Sequence, residues 1–221
     1  MRRTSREETT ERPFRVAWRH FKASPGTFIA SALVVFLLWA LLEILVITLA
    51  HLGTVINISL HIIFMALMSA GIVGLHGLAS DSLDGRPIAL RDLARWLPRG
   101  PHFLAAAIIY TLCVGAGLIA LAVPGLYVAV RFGMFPHVLA TQKAGPIDAL
   151  RFAARLSQGQ TWRVGGILAR SLLLTLAGAA VLGVGALITY PVAVIATTSA
   201  FRSLLSARHV APNPALQRTT A

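Results

Sequence analysis

The sequence predicts an all-α membrane protein: six transmembrane helices arranged as three hairpins, each preceded by an amphipathic interfacial helix, with both termini in the cytoplasm. Three observations lead there. Hydrophobic residues make up 56% of the 221, and charged residues only 13%, about half the charged share of a soluble domain. Several runs reach the ~20 apolar residues needed to cross a bilayer. The lysines and arginines, finally, fall almost entirely at the termini and in alternate connections between those runs.

The first span is read at about 28–50, as a membrane span rather than a cleavable signal, because the run is longer than a signal core. The second is read at about 55–78 and the third at about 103–123. Pro124–Ala140, "PGLYVAVRFGMFPHVLA", makes a short fourth span of about 25 Å. The fifth falls at about 162–182 and the sixth at about 186–205. Of the 20 Lys and Arg, all but Arg131 and Arg170 precede the first span, lie between the second and third or the fourth and fifth, or follow the core of the sixth. The connections "HLGT", Val123–Pro124 and "GVG" carry none. Positive residues stay on the cytoplasmic side, so six spans put every basic loop there. Merging the third and fourth spans would break this agreement.

The stretches ahead of the first, third and fifth spans resemble one another. Each opens on proline (Pro13, Pro87, Pro146), and each has glycine thirteen residues later (Gly26, Gly100, Gly159). Each then enters its span through an aromatic residue: Phe28, Phe103 or Trp162. Proline suits the first turn of a helix and glycine its end. In the third stretch, Asp148, Arg151, Arg155 and Gln158 share one narrow face, while Ile147, Leu150, Phe152, Ala153 and Leu156 fill most of the rest. In the second, Arg91, Asp92 and Arg95 oppose Leu90, Leu93 and Leu97. Helices of this kind lie in the membrane interface, so Arg91, Arg95, Arg151 and Arg155 are expected to meet anionic headgroups on the cytoplasmic side. The repeat units are about 13–86, 87–145 and 146–206, within a single membrane domain at 13–206. Residues 1–12 and 207–221 have no apolar period and read as disordered.

The net charge of +12 is explained by this membrane placement, and no nucleic-acid partner is expected. Cys113 is the single cysteine, which excludes an intrachain disulfide and a cysteine-based metal cluster. No metal or other cofactor is expected. The histidines show no two-His helical pair at i, i+4, and His51, His61, His76 and His137 read as packing or interfacial residues. Ala66, Ala70 and Gly74, four apart, suit close helix packing.

Residues 123–163 resemble the uncharacterised bacterial integral membrane proteins related to the membrane domain of glycerophosphoryl diester phosphodiesterases. The likeness rests on Pro124, Gly125, Tyr127, Arg131, Pro136, Gly145, Pro146, Ala149, Leu150, Leu156 and Gly159. It implies the bacterial inner membrane. It does not imply phosphodiesterase activity, because the soluble catalytic domain with its paired acids is absent. The chain has only eight Asp and Glu in all.

Charges at depth usually pair or face a cavity. Glu43 and Arg131 each lie seven residues from the outer end of a span, about 10 Å deep. An ion pair between them is therefore expected, as a pin between two helices. Arg170 either snorkels to the cytoplasm or faces the bundle interior. The expected function is a non-catalytic role, structural or accessory, in membrane or lipid homeostasis, with a membrane-protein partner open. The alternative is a small-solute or lipid transporter whose cavity is lined by Glu43, Arg131, Asn57, His61 and Arg170.

Overall fold

A computed structural model describes residues 13–49, 53–142, 144–180 and 185–208. The expected disordered stretch at 1–12, almost all of the tail, His51 and parts of the "HLGT" and "GVG" turns lie outside them. The described elements are helical throughout. Helix α1 is Pro13–Ala23, α2 is Pro25–Thr48 and α3 is Thr54–Leu83. A 3-10 segment, Leu90–Arg99, leads into α4, Gly100–Ala120. Then come α5, Ala122–Phe132, and α6, Phe135–Thr141. Helices α7, Pro146–Ser157, α8, Thr161–Ala180, and α9, Ala186–Arg208, complete the chain.

Among the described residues, six stretches are long and apolar enough to cross a membrane. The fourth, Ala122–Thr141, is broken into α5 and α6. Pro136 has no N–H to offer the Phe132 carbonyl one turn back, and its ring crowds that carbonyl. The chain turns through Gly133 and Met134 before helix resumes. Residues 134, 135 and 137–140 are all buried, so α6 is a plug inside the bundle. The Arg99 guanidinium caps it, donating to the Leu139 and Ala140 carbonyls at 3.0 and 3.2 Å, where the negative end of the helix dipole favours a cation.

Consecutive spans pack on each other: α2 on α3, α4 on α5, and α8 on α9. Helix α9 is central, touching α1, α2, α3 and α8, with residues 191–198 buried without interruption. Burial is concentrated where α1, α6, α7 and the 3-10 segment gather. One core joins Trp96, Phe103, Phe135, Phe152 and Phe201. The other joins Phe21, Phe28, Leu78 and Ile195. Away from these cores apolar side chains stand exposed, Ile119 at 90% and Val123 at 79% among them. In a bilayer that surface is solvated by lipid and carries no penalty.

The three pre-span stretches diverge. Pro13 and Pro146 start helices, but Pro87 lies ahead of a 3-10 segment. Gly159 follows α7 with φ +79°, the left-handed conformation that glycine tolerates. Gly26 instead lies inside the first turn of α2, and Gly100 is the first residue of α4. Most of the apolar face of α7 packs in protein: Ala149, Leu150, Phe152, Ala153 and Leu156 are at most 5% exposed and belong to the core, while Ile147 stays 54% exposed. Protein offers these side chains close-packed contacts on every side, which the loosely ordered headgroup region does not.

The second stretch owes its 3-10 winding to its partner. Three residues per turn place Leu90, Leu93 and Trp96 in one row. The facing row on α3 has glycines at the same spacing, Gly74 and Gly77. A Cβ at Gly74 would fall 2.6 Å from Leu93, and one at Gly77 would collide with the Trp96 ring. Further along, Gly100 sits against Ala66 and Ala70. The small residues at four-residue spacing thus serve close packing, against the 3-10 segment and the start of α4.

Candidate functional site

The polar side chains that come together lie at the end of the bundle where the cores gather. Asp81 and Asp84 close α3, Asp92 and Arg95 lie on the 3-10 segment, and Arg202 is on α9. Arg86 Nη1 meets Asp81 at 2.8 Å, and Arg95 meets Asp92 at 3.1 Å and Asp81 at 3.9 Å. Arg202 donates to Asp84 at 2.7 Å and to the Ser80 carbonyl and hydroxyl at 2.8 Å each. One network therefore ties α3, the 3-10 segment and α9. Asp92 also accepts the Ala89 N–H at 2.9 Å and caps the segment's start.

Beneath it lies a buried pair of imidazoles. His76 of α3 and His137 of α6 are 8% and 2% exposed, with ring centroids 4.7 Å apart, edge to face. His76 Nδ1 lies 2.8 Å from the Ile72 carbonyl, which can only accept, so Nδ1 carries a proton. His137 Nδ1 is 3.2 Å from the Thr198 hydroxyl. That hydroxyl spends its one hydrogen on the Val194 carbonyl at 2.7 Å, so His137 Nδ1 is the donor there. The ring of His137 also stacks on Phe201 at 5.6 Å. The pair is thus oriented from α3, α6 and α9 together.

The structure does not bring Glu43 and Arg131 together. Arg131 donates instead to the Tyr127 hydroxyl at 2.6 Å, one turn earlier on α5, with its guanidinium 5.6 Å from that ring. Among the described residues Glu43 has no ion pair. Matching depth fixes only height along the bundle normal. Packing decides neighbours: α2 lies against α1, α3, α9 and the 3-10 segment, whereas α5 lies against α4, α7 and α8.

The other expected cavity residues are also separate. His61 Nδ1 bonds within α3 to the Asn57 carbonyl at 3.0 Å, and His61 itself is exposed. Arg170 is exposed on α8. Arg91, Arg151 and Arg155 are exposed as well, while Arg95 is drawn into the ion network. Among the described residues no group of three or more His, Cys, Asp or Glu could hold a metal ion. The acids of the network are paired with arginine, and His137 Nδ1 donates to the Thr198 hydroxyl rather than accepting its proton. Sequence reasoning missed the network and the His76–His137–Thr198 contact. One clue was present: three of the eight acids, Asp81, Asp84 and Asp92, fall within a dozen residues beside Arg86 and Arg95.

No protein-family model and no solved structure matches the chain. It is 28% identical over 93 residues to a UPF0259 membrane protein of Pectobacterium carotovorum subsp. carotovorum (strain PC1). The match covers 42% of this chain, and 36% of that relative's length. The relative is described only as a membrane protein, so the comparison gives no support to a link with phosphodiesterases. Six apolar helices and this likeness make the chain a multi-pass membrane protein, similar to an uncharacterised bacterial membrane family.

Proposed function

We propose that the chain is a non-catalytic protein of the bacterial inner membrane, with a structural or accessory role in membrane or lipid homeostasis. Its termini and its arginine-bearing connections face the cytoplasm, where the exposed Arg91, Arg151 and Arg155 meet anionic headgroups. Kinship with the membrane domains of glycerophosphoryl diester phosphodiesterases, carried by Pro124 to Gly159, is part of the same proposal. What supports a scaffold is the way the polar groups are used. Asp81, Asp84, Arg86, Asp92, Arg95 and Arg202 are bonded to one another across three elements, and the histidines beneath them are held by the protein's own carbonyls and hydroxyls. Such closed bonding locks helices in place and leaves few groups to solvate a passing solute.

Reconstitution into sealed liposomes tests this. Proton flux read by an entrapped pH dye, and solute flux read by osmotic light scattering, are expected to match protein-free vesicles. A flux that disappears in Glu43→Gln or Arg131→Gln would overturn the scaffold in favour of a transporter.

A further inference from the structure

An apolar groove of about 270 Å³ opens between α2, α3 and the 3-10 segment. This exceeds the roughly 150 Å³ of an engineered apolar cavity that admits benzene. Val34 and Leu38 form one wall, Leu67 and Gly71 the floor, and Leu90 and Leu97 the other wall. Val34, Leu90 and Leu97 remain 41%, 42% and 50% exposed, so the trough is open along its length. Its two long walls belong to membrane-crossing stretches. From the level of Gly74, where Leu93 docks, to Leu67 it runs seven residues along α3, about 10 Å.

An exposed cation lies next to this trough: Arg91 directly follows Leu90, which lines it. In three-residue winding Arg91 shares a row with Ala94 and Leu97, both of which line the groove. Asp92 and Arg95 fall in another row and pair with each other. Arg91 is exposed and has no hydrogen bond or ion pair among the described residues. An apolar trough with an unpaired guanidinium beside its wall has the polarity of an anionic phospholipid: an acyl chain along the leucines and a phosphate within reach of the arginine, which can bind it bidentately. We infer that this groove is a specific binding site for one anionic phospholipid of the bilayer, with its acyl chain between α2 and the 3-10 segment and its headgroup on Arg91. The site rests on the proposed lipid-contacting role. The liposome flux assay reads that role by itself, so the two can fail separately.

Native mass spectrometry of the full chain in detergent tests the site, with phosphatidylglycerol and phosphatidylcholine of identical acyl chains added in equal amounts. The wild type is expected to retain one phosphatidylglycerol in at least several-fold preference. Arg91→Gln should bring the two lipids to parity, while Arg163→Gln, in the first turn of α8, should keep the preference. Ala94→Phe, which fills the trough, should lose both adducts. If that variant elutes aggregated, Val34→Phe on the opposite wall replaces it. Equal retention of the two lipids by the wild type would overturn the site. So would undiminished retention by a folded groove-filling variant.

Discussion

Arg202 reaches three oxygens from one guanidinium: Asp84, the Ser80 carbonyl and the Ser80 hydroxyl. Its side chain is 30% exposed, so screening weakens the pair without abolishing it. Arg202→Ala is expected to cost about 1–2 kcal/mol, read as a lower thermal midpoint in detergent. Arg202→Lys should recover only part of this, because an ammonium cannot reproduce the planar fork. An unchanged midpoint in the alanine variant would show the network to be fully screened. Residue chemistry of this kind was only half legible. That Glu43 and Arg131 carry charge inside spans is plain from the sequence, and so is their common depth. The same depth reasoning would have paired His76 with His137 equally well, and it is the histidines that meet. Depth supplies one coordinate, and a contact needs three.

The 3-10 segment shows how an element takes its winding from its neighbour. Amphipathic patterning at 87–100 was legible, but an α-helix was the natural reading. Leu93 and Trp96 are three apart, as are Gly74 and Gly77 opposite. Winding at three residues per turn eclipses Leu93 and Trp96, and both fall on the two notches. Gly77→Val should therefore expel the Trp96 ring, costing about 1–3 kcal/mol by overpacking. In a Trp96→Ala background the same substitution should be far milder. Thermal unfolding of both single variants and the double variant measures the coupling. Strict additivity would mean that Gly77 and Trp96 do not share the notch. Pro136 removes an N–H and crowds a carbonyl within its stretch, but proline alone does not decide a break, since Pro191 lies inside the continuous α9. That the piece beyond the break becomes a buried plug capped by Arg99 depends on α3, α4 and α7 packing around it.

Across the whole molecule, close packing is concentrated toward one end and apolar surface is left exposed over much of the rest. The arginine-bearing connections lie at the packed end, which the positive-inside rule assigns to the cytoplasm. Single cysteines in a Cys113→Ala background check this with a membrane-impermeant maleimide. Cys113 must be removed because it is exposed. Val123→Cys, at the α4–α5 turn, should label in intact spheroplasts. Gln158→Cys, just after α7, should label only in inverted vesicles. The reverse pattern would overturn the orientation.

By itself the sequence determined the solvent of this protein and the number of its apolar stretches, because transfer into lipid depends on composition and run length alone. It also grouped the arginines. The tertiary structure decided which polar groups meet: Arg202 with Asp84, His76 with His137, and Arg131 with Tyr127 rather than Glu43. It also decided that most of the apolar face of α7 packs in protein. The physical reason is that a bilayer orders helices along its normal but is indifferent to their arrangement around it. That arrangement is set by the fit of side chains such as Leu93 and Trp96 into backbone notches, which no single segment specifies alone.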